Sequence, residues 1–137
     1  MLKLRLKSLA LATLLATSAM GTAMAADLKL TGDQEVPANA SAAVGTGTIT
    51  VAADGTVSGS VTAATLQATA AHIHVGAAGV NGPVIVPLTG SAGGVWSVPA
   101  GAKLTAEQLD AYKAGNLYVN VHTAEHKGGE IRAQLKP

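Results

Sequence analysis

A chain of 137 residues is long enough for one domain with its own core, and with no cysteine it has no disulfide to staple that core. Its formal charge is +1, and the body of the chain has no Lys/Arg cluster, which argues against nucleic acid or an anionic membrane as a partner. Only Trp96, Tyr112 and Tyr118 are aromatic, so Val, Ile, Leu and Ala must build the interior, as suits closely packed sheets.

Lys3, Arg5 and Lys7 precede an apolar run from Leu9 to Ala19, and Ala23-Met24-Ala25 places small residues where a signal peptidase reads. The pattern predicts a signal peptide over residues 1–25 and one domain over residues 26–137. The apolar run is too short to span a bilayer, no stop-transfer segment follows, and no cysteine is present for a lipid anchor. The expectation is an exported protein, periplasmic or secreted. Its formal charge becomes −2 once the three basic residues of the signal are removed.

Residues 26–31 alternate Leu28 and Leu30 against Lys29 and Thr31, predicting an edge strand. Residues 32–41 form a polar loop with Glu35-Val36-Pro37 and a formal glycosylation sequon, Asn39-Ala40-Ser41. Residues 45–51 and 56–63 both alternate, and Ala53-Asp54-Gly55 between them supplies the turn of a hairpin. Next comes Ala70-Ala71-His72-Ile73-His74-Val75, a strand with both histidines on one face. A glycine-rich loop over residues 76–83 follows, then a buried strand over residues 84–88 that Pro87 ends or bulges. Residues 90–94 read as a turn and residues 94–98 as a strand, with Trp96 plugging the core or a sheet edge. Residues 105–114 are the one helical signal, with a Thr105/Gln108 capping box and Gly115 as the stop. Two strands close the chain: Tyr118-Val119-Asn120-Val121-His122 and Glu130-Ile131-Arg132-Ala133-Gln134-Leu135. The sum is an all-β protein, a Greek-key β-sandwich or barrel with one short helix.

Ile73, Val75, Val119 and Val121 are expected to face the core. His72, His74 and His122 then lie on the outside, where only residues 76–83 and 124–129 are near enough to cover them. Three imidazoles on neighbouring strands suit Cu(II), Zn or Ni, with His126 in the adjoining loop as a fourth ligand. The other reading is a structural polar cluster tied to Tyr118, Asn120 or the 76–83 loop, or plain exposure on a sheet face. Glu130 and Arg132, opposite Ile131, read as a solvated or cross-strand ion pair. Gly128-Gly129 reads as turn chemistry.

Taken in order, Thr31-Gly32-Asp33-Gln34-Glu35-Val36-Pro37, Ala71-His72-Ile73-His74-Val75-Gly76, Gly82-Pro83-Val84, Tyr118-Val119-Asn120-Val121-His122-Thr123 and Gly128-Gly129-Glu130-Ile131-Arg132 resemble the CHRD domain. The resemblance implies an immunoglobulin-like β-barrel with limited similarity to Cu/Zn superoxide dismutases. In those enzymes a His-x-His strand and a later Val-His strand supply copper ligands, which His72, His74 and His122 match in order; Arg132 matches loosely the arginine that guides the anionic substrate. No histidine lies between His74 and His122 and no cysteine is present, so the resemblance carries over one metal at most. Three functions follow as expectations. The first is a non-enzymatic exported binding module holding copper or zinc at the three histidines. The second is a mononuclear copper redox enzyme, and the third a metal-free extracellular module with a protein partner.

Overall fold

The computed structural model describes residues 25–137; the expected signal peptide falls almost wholly outside them. Nine antiparallel strands form one sheet: β1 (Ala25–Thr31), β2 (Val44–Val51), β3 (Val57–Thr62), β4 (Ala68–Val75), β5 (Val84–Pro87), β6 (Thr89–Ser91), β7 (Val95–Ser97), β8 (Leu117–Thr123) and β9 (Ile131–Leu135). Their order is β5-β4-β8-β9-β1-β2-β3-β7-β6. The two outermost strands in this order are consecutive in the chain. Pro87 has no N–H to continue the ladder, and Leu88 is where the chain leaves β4 for β7. Leu88 N still donates to Ala71 O at 3.0 Å, so the sheet curls into a nearly closed barrel. Closure removes most of the exposed edge that an open sheet presents.

The β2–β3 hairpin forms as its alternation predicts. Asp54 Oδ1 accepts from Thr56 N at 2.9 Å, and Gly55 takes the positive φ of +89° that the turn requires. Helix α1 (Ala106–Lys113) carries the expected capping box: Gln108 N donates to Thr105 Oγ1 and Thr105 N to Gln108 Oε1. No helix among the described residues is long and apolar enough to cross a membrane.

Three expectations are corrected. β1 is not an edge strand: β2 pairs along its whole length, and β9 joins its other side at Thr31↔Arg132. The 84–88 segment is only half buried, with Val86 and Leu88 inward and Val84 47% exposed. Residues 89–91 are strand β6, pairing with β7 and taking the first two positions of the turn expected over residues 90–94; the strand is too short for periodicity to declare itself, and the turn itself is confined to Ala92–Gly94.

The barrel interior is filled by Leu30, Val61, Ile73, Leu117, Val119, Val121 and Ile131, all fully buried, with Leu28, Ile49, Val86 and Leu135 around them. β8 lies deepest: every one of its seven residues is buried. One face belongs to the core. The other, bearing Tyr118, Asn120 and His122, is buried because chain is folded over it.

Candidate functional site

The outer faces of β4, β8 and β9 form a polar belt whose composition follows from period-2 alternation and register. His72 sits opposite Asn120, which sits opposite Arg132; His74 sits opposite Tyr118, which sits opposite Gln134. His122 is opposite Ala70, one diagonal step from His72, within reach of long side chains. The three strands thus bring His72, His74 and His122 together, each offering a ring nitrogen within 4.8 Å of the others.

Two segments cover the belt, and they are the two that the alternation had left nearby. The 76–83 loop is clamped by Arg132, expected as a solvated residue but only 1% exposed. Its Nη2 donates to Ala77 O at 3.0 Å and Val80 O at 2.9 Å, and its guanidinium lies flat on the Tyr118 ring, 3.4 Å from the centroid. Gln134 Nε2 donates to Gly76 O at 2.7 Å and fixes the start of the same loop. The 124–129 segment is held at its turn, where His126 N donates to Thr123 Oγ1 at 3.2 Å and Thr123 N and Gly129 N donate to His126 O. The Glu130 carboxylate that follows accepts from the Ser41 and Thr123 hydroxyls. Glu130 and Arg132 therefore serve opposite sides of the belt and do not pair. Asn39 of the formal sequon is tied down as well, its Nδ2 donating to Glu130 O at 3.0 Å.

The covering loops set the hydrogen-bonding state of the histidines. His74 Nδ1 lies 2.9 Å from Gly82 O and His122 Nδ1 lies 2.8 Å from Lys127 O. A carbonyl only accepts, so each Nδ1 carries its hydrogen and donates. This directs His122 Nε2 at His72 Nδ1, 3.0 Å away, and His74 Nε2 at Asn120 Oδ1, 2.9 Å away. The His74 ring stacks on Tyr118 with centroids 4.6 Å apart, and Arg132 covers the opposite face of that tyrosine. Burial holds both His72 and His74 below the ordinary imidazole pKa; for His72 the neighbouring His122 and His74 add to the effect. Neutral imidazoles with one nitrogen donated to a carbonyl are the form in which histidine ligates metals.

His126 is not brought to this group. It lies with Glu125 and Glu130, its Nε2 3.9 Å from Glu130 Oε1. The four-residue step from His122 carries it round the turn, away from the strand face.

One participant was not legible as such. Asn120 and Tyr118 share the parity of His122 and could be placed. Glu35 could not: it is a carboxylate in a polar loop, yet it is 4% exposed and its Oε1 has no hydrogen-bond partner. Burial raises its carboxyl from 4.5 to about 7, against the opposing influence of the Asn120 amide and the Arg132 charge. Gly129 makes room for it. Gly129 has φ +125°, and an added Cβ would meet Glu35 Oε1 and Asn120 Nδ2, so its role exceeds turn chemistry. Gly129→Ala is expected to cost at least about 2 kcal/mol from strained backbone and overpacking together. A urea midpoint unchanged from wild type would refute this.

The family model described as the CHRD domain matches residues 27–135. No curated protein and no solved structure matches the chain. The match spans the described barrel almost from end to end, and on that ground the chain belongs to the CHRD domain family.

Proposed function

We propose that this CHRD domain is an exported binding module that holds one transition-metal ion, copper ahead of zinc, through His72, His74 and His122. The observation that carries the reading is the commitment of His74 Nδ1 and His122 Nδ1 to main-chain carbonyls of the two covering segments. That leaves His122 Nε2 facing His72 Nδ1 and His74 Nε2 facing Asn120 Oδ1, and each of the three histidines offers one ring nitrogen within 4.8 Å of the others. An all-imidazole donor set suits copper, zinc and nickel, and affinity along the first-row series peaks at Cu(II). His72 Nδ1 and His122 Nε2 stand at 3.0 Å, an ordinary hydrogen-bond length between the two rings that a bound ion would replace.

A copper ion here would supply one-electron chemistry, but the dismutase-like reading gains nothing from Arg132, whose guanidinium is sealed beneath the 76–83 loop. Binding without turnover is the better supported function.

Calorimetric titration of the purified chain with Cu(II) and Zn(II) tests this. Expected is one site, with affinity falling about 100-fold or more in His122→Ala and in His72→Ala. His72 is only half buried, so its variant keeps the barrel intact. Affinity should also fall with pH once it drops below the ordinary imidazole range, into the lower range where the buried His72 and His74 take up protons in competition with the metal. Equal, weak binding by wild type and both variants would overturn the metal reading and favour a metal-free interaction module.

A further inference from the structure

Away from the histidine trio, Glu125, His126 and Glu130 form a second group, each offering one donor atom within 4.8 Å of the others. Acidic side chains gather on surfaces without an ion; Glu130 and the cleft it faces set this group apart.

Glu130 is only 7% exposed. Its oxygens are met by two hydroxyls, Thr123 Oγ1 donating to Oε1 at 3.0 Å and Ser41 Oγ to Oε2 at 2.9 Å. Each hydroxyl oxygen already accepts from a main-chain N–H, of His126 and of Ala43 respectively, which leaves its hydrogen for the carboxylate. Glu130 is thereby held as an acceptor on both oxygens, as suits the ionised form. Among the described residues no lysine or arginine pairs with it, and His126 Nε2 stands 3.9 Å from its Oε1. That separation is too long for a hydrogen bond, and the His126 ring has no other partner among the described residues. Buried charges are ordinarily paired or bound to a metal ion. Here the carboxylate lacks a counter-charge and the imidazole beside it lacks a partner.

The cleft follows from strand register. Ala68 pairs with Thr123 and Ala70 with His122, so Thr69 is an extra residue in β4. Such a bulge interrupts the ladder and bends the strand. A cleft of about 570 Å³ lies beside it, lined by Leu66, Gln67 and Thr69 from the β4 side and by Thr123, Glu125 and Glu130 from the other. Its volume admits several waters, each taking about 30 Å³.

We propose that Glu125, His126 and Glu130 hold a divalent metal ion at the edge of this cleft, separate from the ion of the histidine trio. The donor set names its class. Two carboxylates cancel the charge of a dication, which three neutral imidazoles do not. Magnesium and calcium prefer oxygen throughout, and copper prefers the all-imidazole trio; manganese(II) and zinc(II) accept carboxylate and imidazole together. Three side chains fill only part of the coordination shell, and water from the cleft completes it. The set is weaker than the trio and fills after it.

Manganese(II) is the probe, because it broadens nearby NMR signals and stands lowest in the first-row affinity order for the trio. Titrated into the metal-free chain, it is expected to give saturable broadening, strongest at residues 123–126 and 130 and at residues 66–69 across the cleft. Glu125→Gln and His126→Gln should each raise the manganese dissociation constant about tenfold or more. Glu125 is exposed and His126 partly so, and neither change opens the core. His72→Ala should leave the effect unchanged. Broadening spread evenly over exposed carboxylates, broadening centred on His72, or equal broadening in wild type and both variants overturns the proposal. Copper binding without the local manganese effect would remove this site alone. The manganese effect without copper binding would remove the trio reading alone.

Discussion

Arg132→Met is expected to lower folding stability by about 3–5 kcal/mol and to release the 76–83 loop. The guanidinium is fully buried and gives two hydrogen bonds to the carbonyls of Ala77 and Val80, with a longer one to Asn81 Oδ1. Methionine fills similar space but leaves those acceptors without donors, each loss costing about 1–3 kcal/mol in a buried setting. The desolvated cation–π contact with Tyr118 adds about 2 kcal/mol. Lysine should rescue little, because an ammonium cannot lie flat on the ring while bridging two carbonyls. Urea denaturation measures the stability, and amide hydrogen exchange at residues 79–82 reports the loop. Exchange there should accelerate beyond the global loss, since the clamp is local. A destabilisation below about 1 kcal/mol would show that the loop holds without its clamp. The consequence for the site is direct: the same loop supplies Gly82 O to His74, so an unclamped loop also frees the His74 ring.

Glu35→Gln is expected to stabilise the protein above about pH 7 and to leave it unchanged near pH 4. Burial raises the carboxyl from 4.5 to about 7, so the folded state holds this proton more tightly than the unfolded chain does. The group's contribution is fully present below the unfolded value, declines as pH rises through the interval, and is lost above the folded value. At about 1.36 kcal/mol per pH unit, the gap corresponds to about 3 kcal/mol. Glutamine keeps the shape and cannot ionise. His72 and His74 act in the opposite sense: with folded values depressed by burial, their contribution is present above ~6.5 and lost as pH falls through the folded values. The two effects therefore oppose each other between pH 4.5 and 6.5, and the variant should lose only the decline that runs from 4.5 to about 7. Urea midpoints near pH 4, 6 and 8 measure this. Equal midpoints for the two proteins at pH 8 would refute it.

Both predictions concern residues whose importance could not be read locally. Glu130-Ile131-Arg132 shows why. Alternation puts Arg132 opposite Ile131, and that was right. Whether the outer face meets water depends on residues 76–83, a loop some 50 positions earlier whose course alternation does not describe. Glu35 is the stronger case, because a charged residue beside Pro37 in a polar stretch has no periodicity to test.

Features governed by neighbours in the chain were legible from the residues themselves. This covers the β2–β3 hairpin with its Asp54-Gly55 turn, the Thr105/Gln108 cap of α1, and the shared parity of His72 with His74 and of Tyr118 with Asn120 and His122. The ordered motifs were also enough to point to the CHRD family. The remainder depends on long-range packing: β1 inside the sheet, closure through Leu88, His126 turned toward Glu130, and Arg132 and Glu35 buried about the histidines. The physical reason is that backbone periodicity specifies the face a side chain leaves from, whereas burial and hydrogen-bonding partners depend on segments packed across that face from far along the chain.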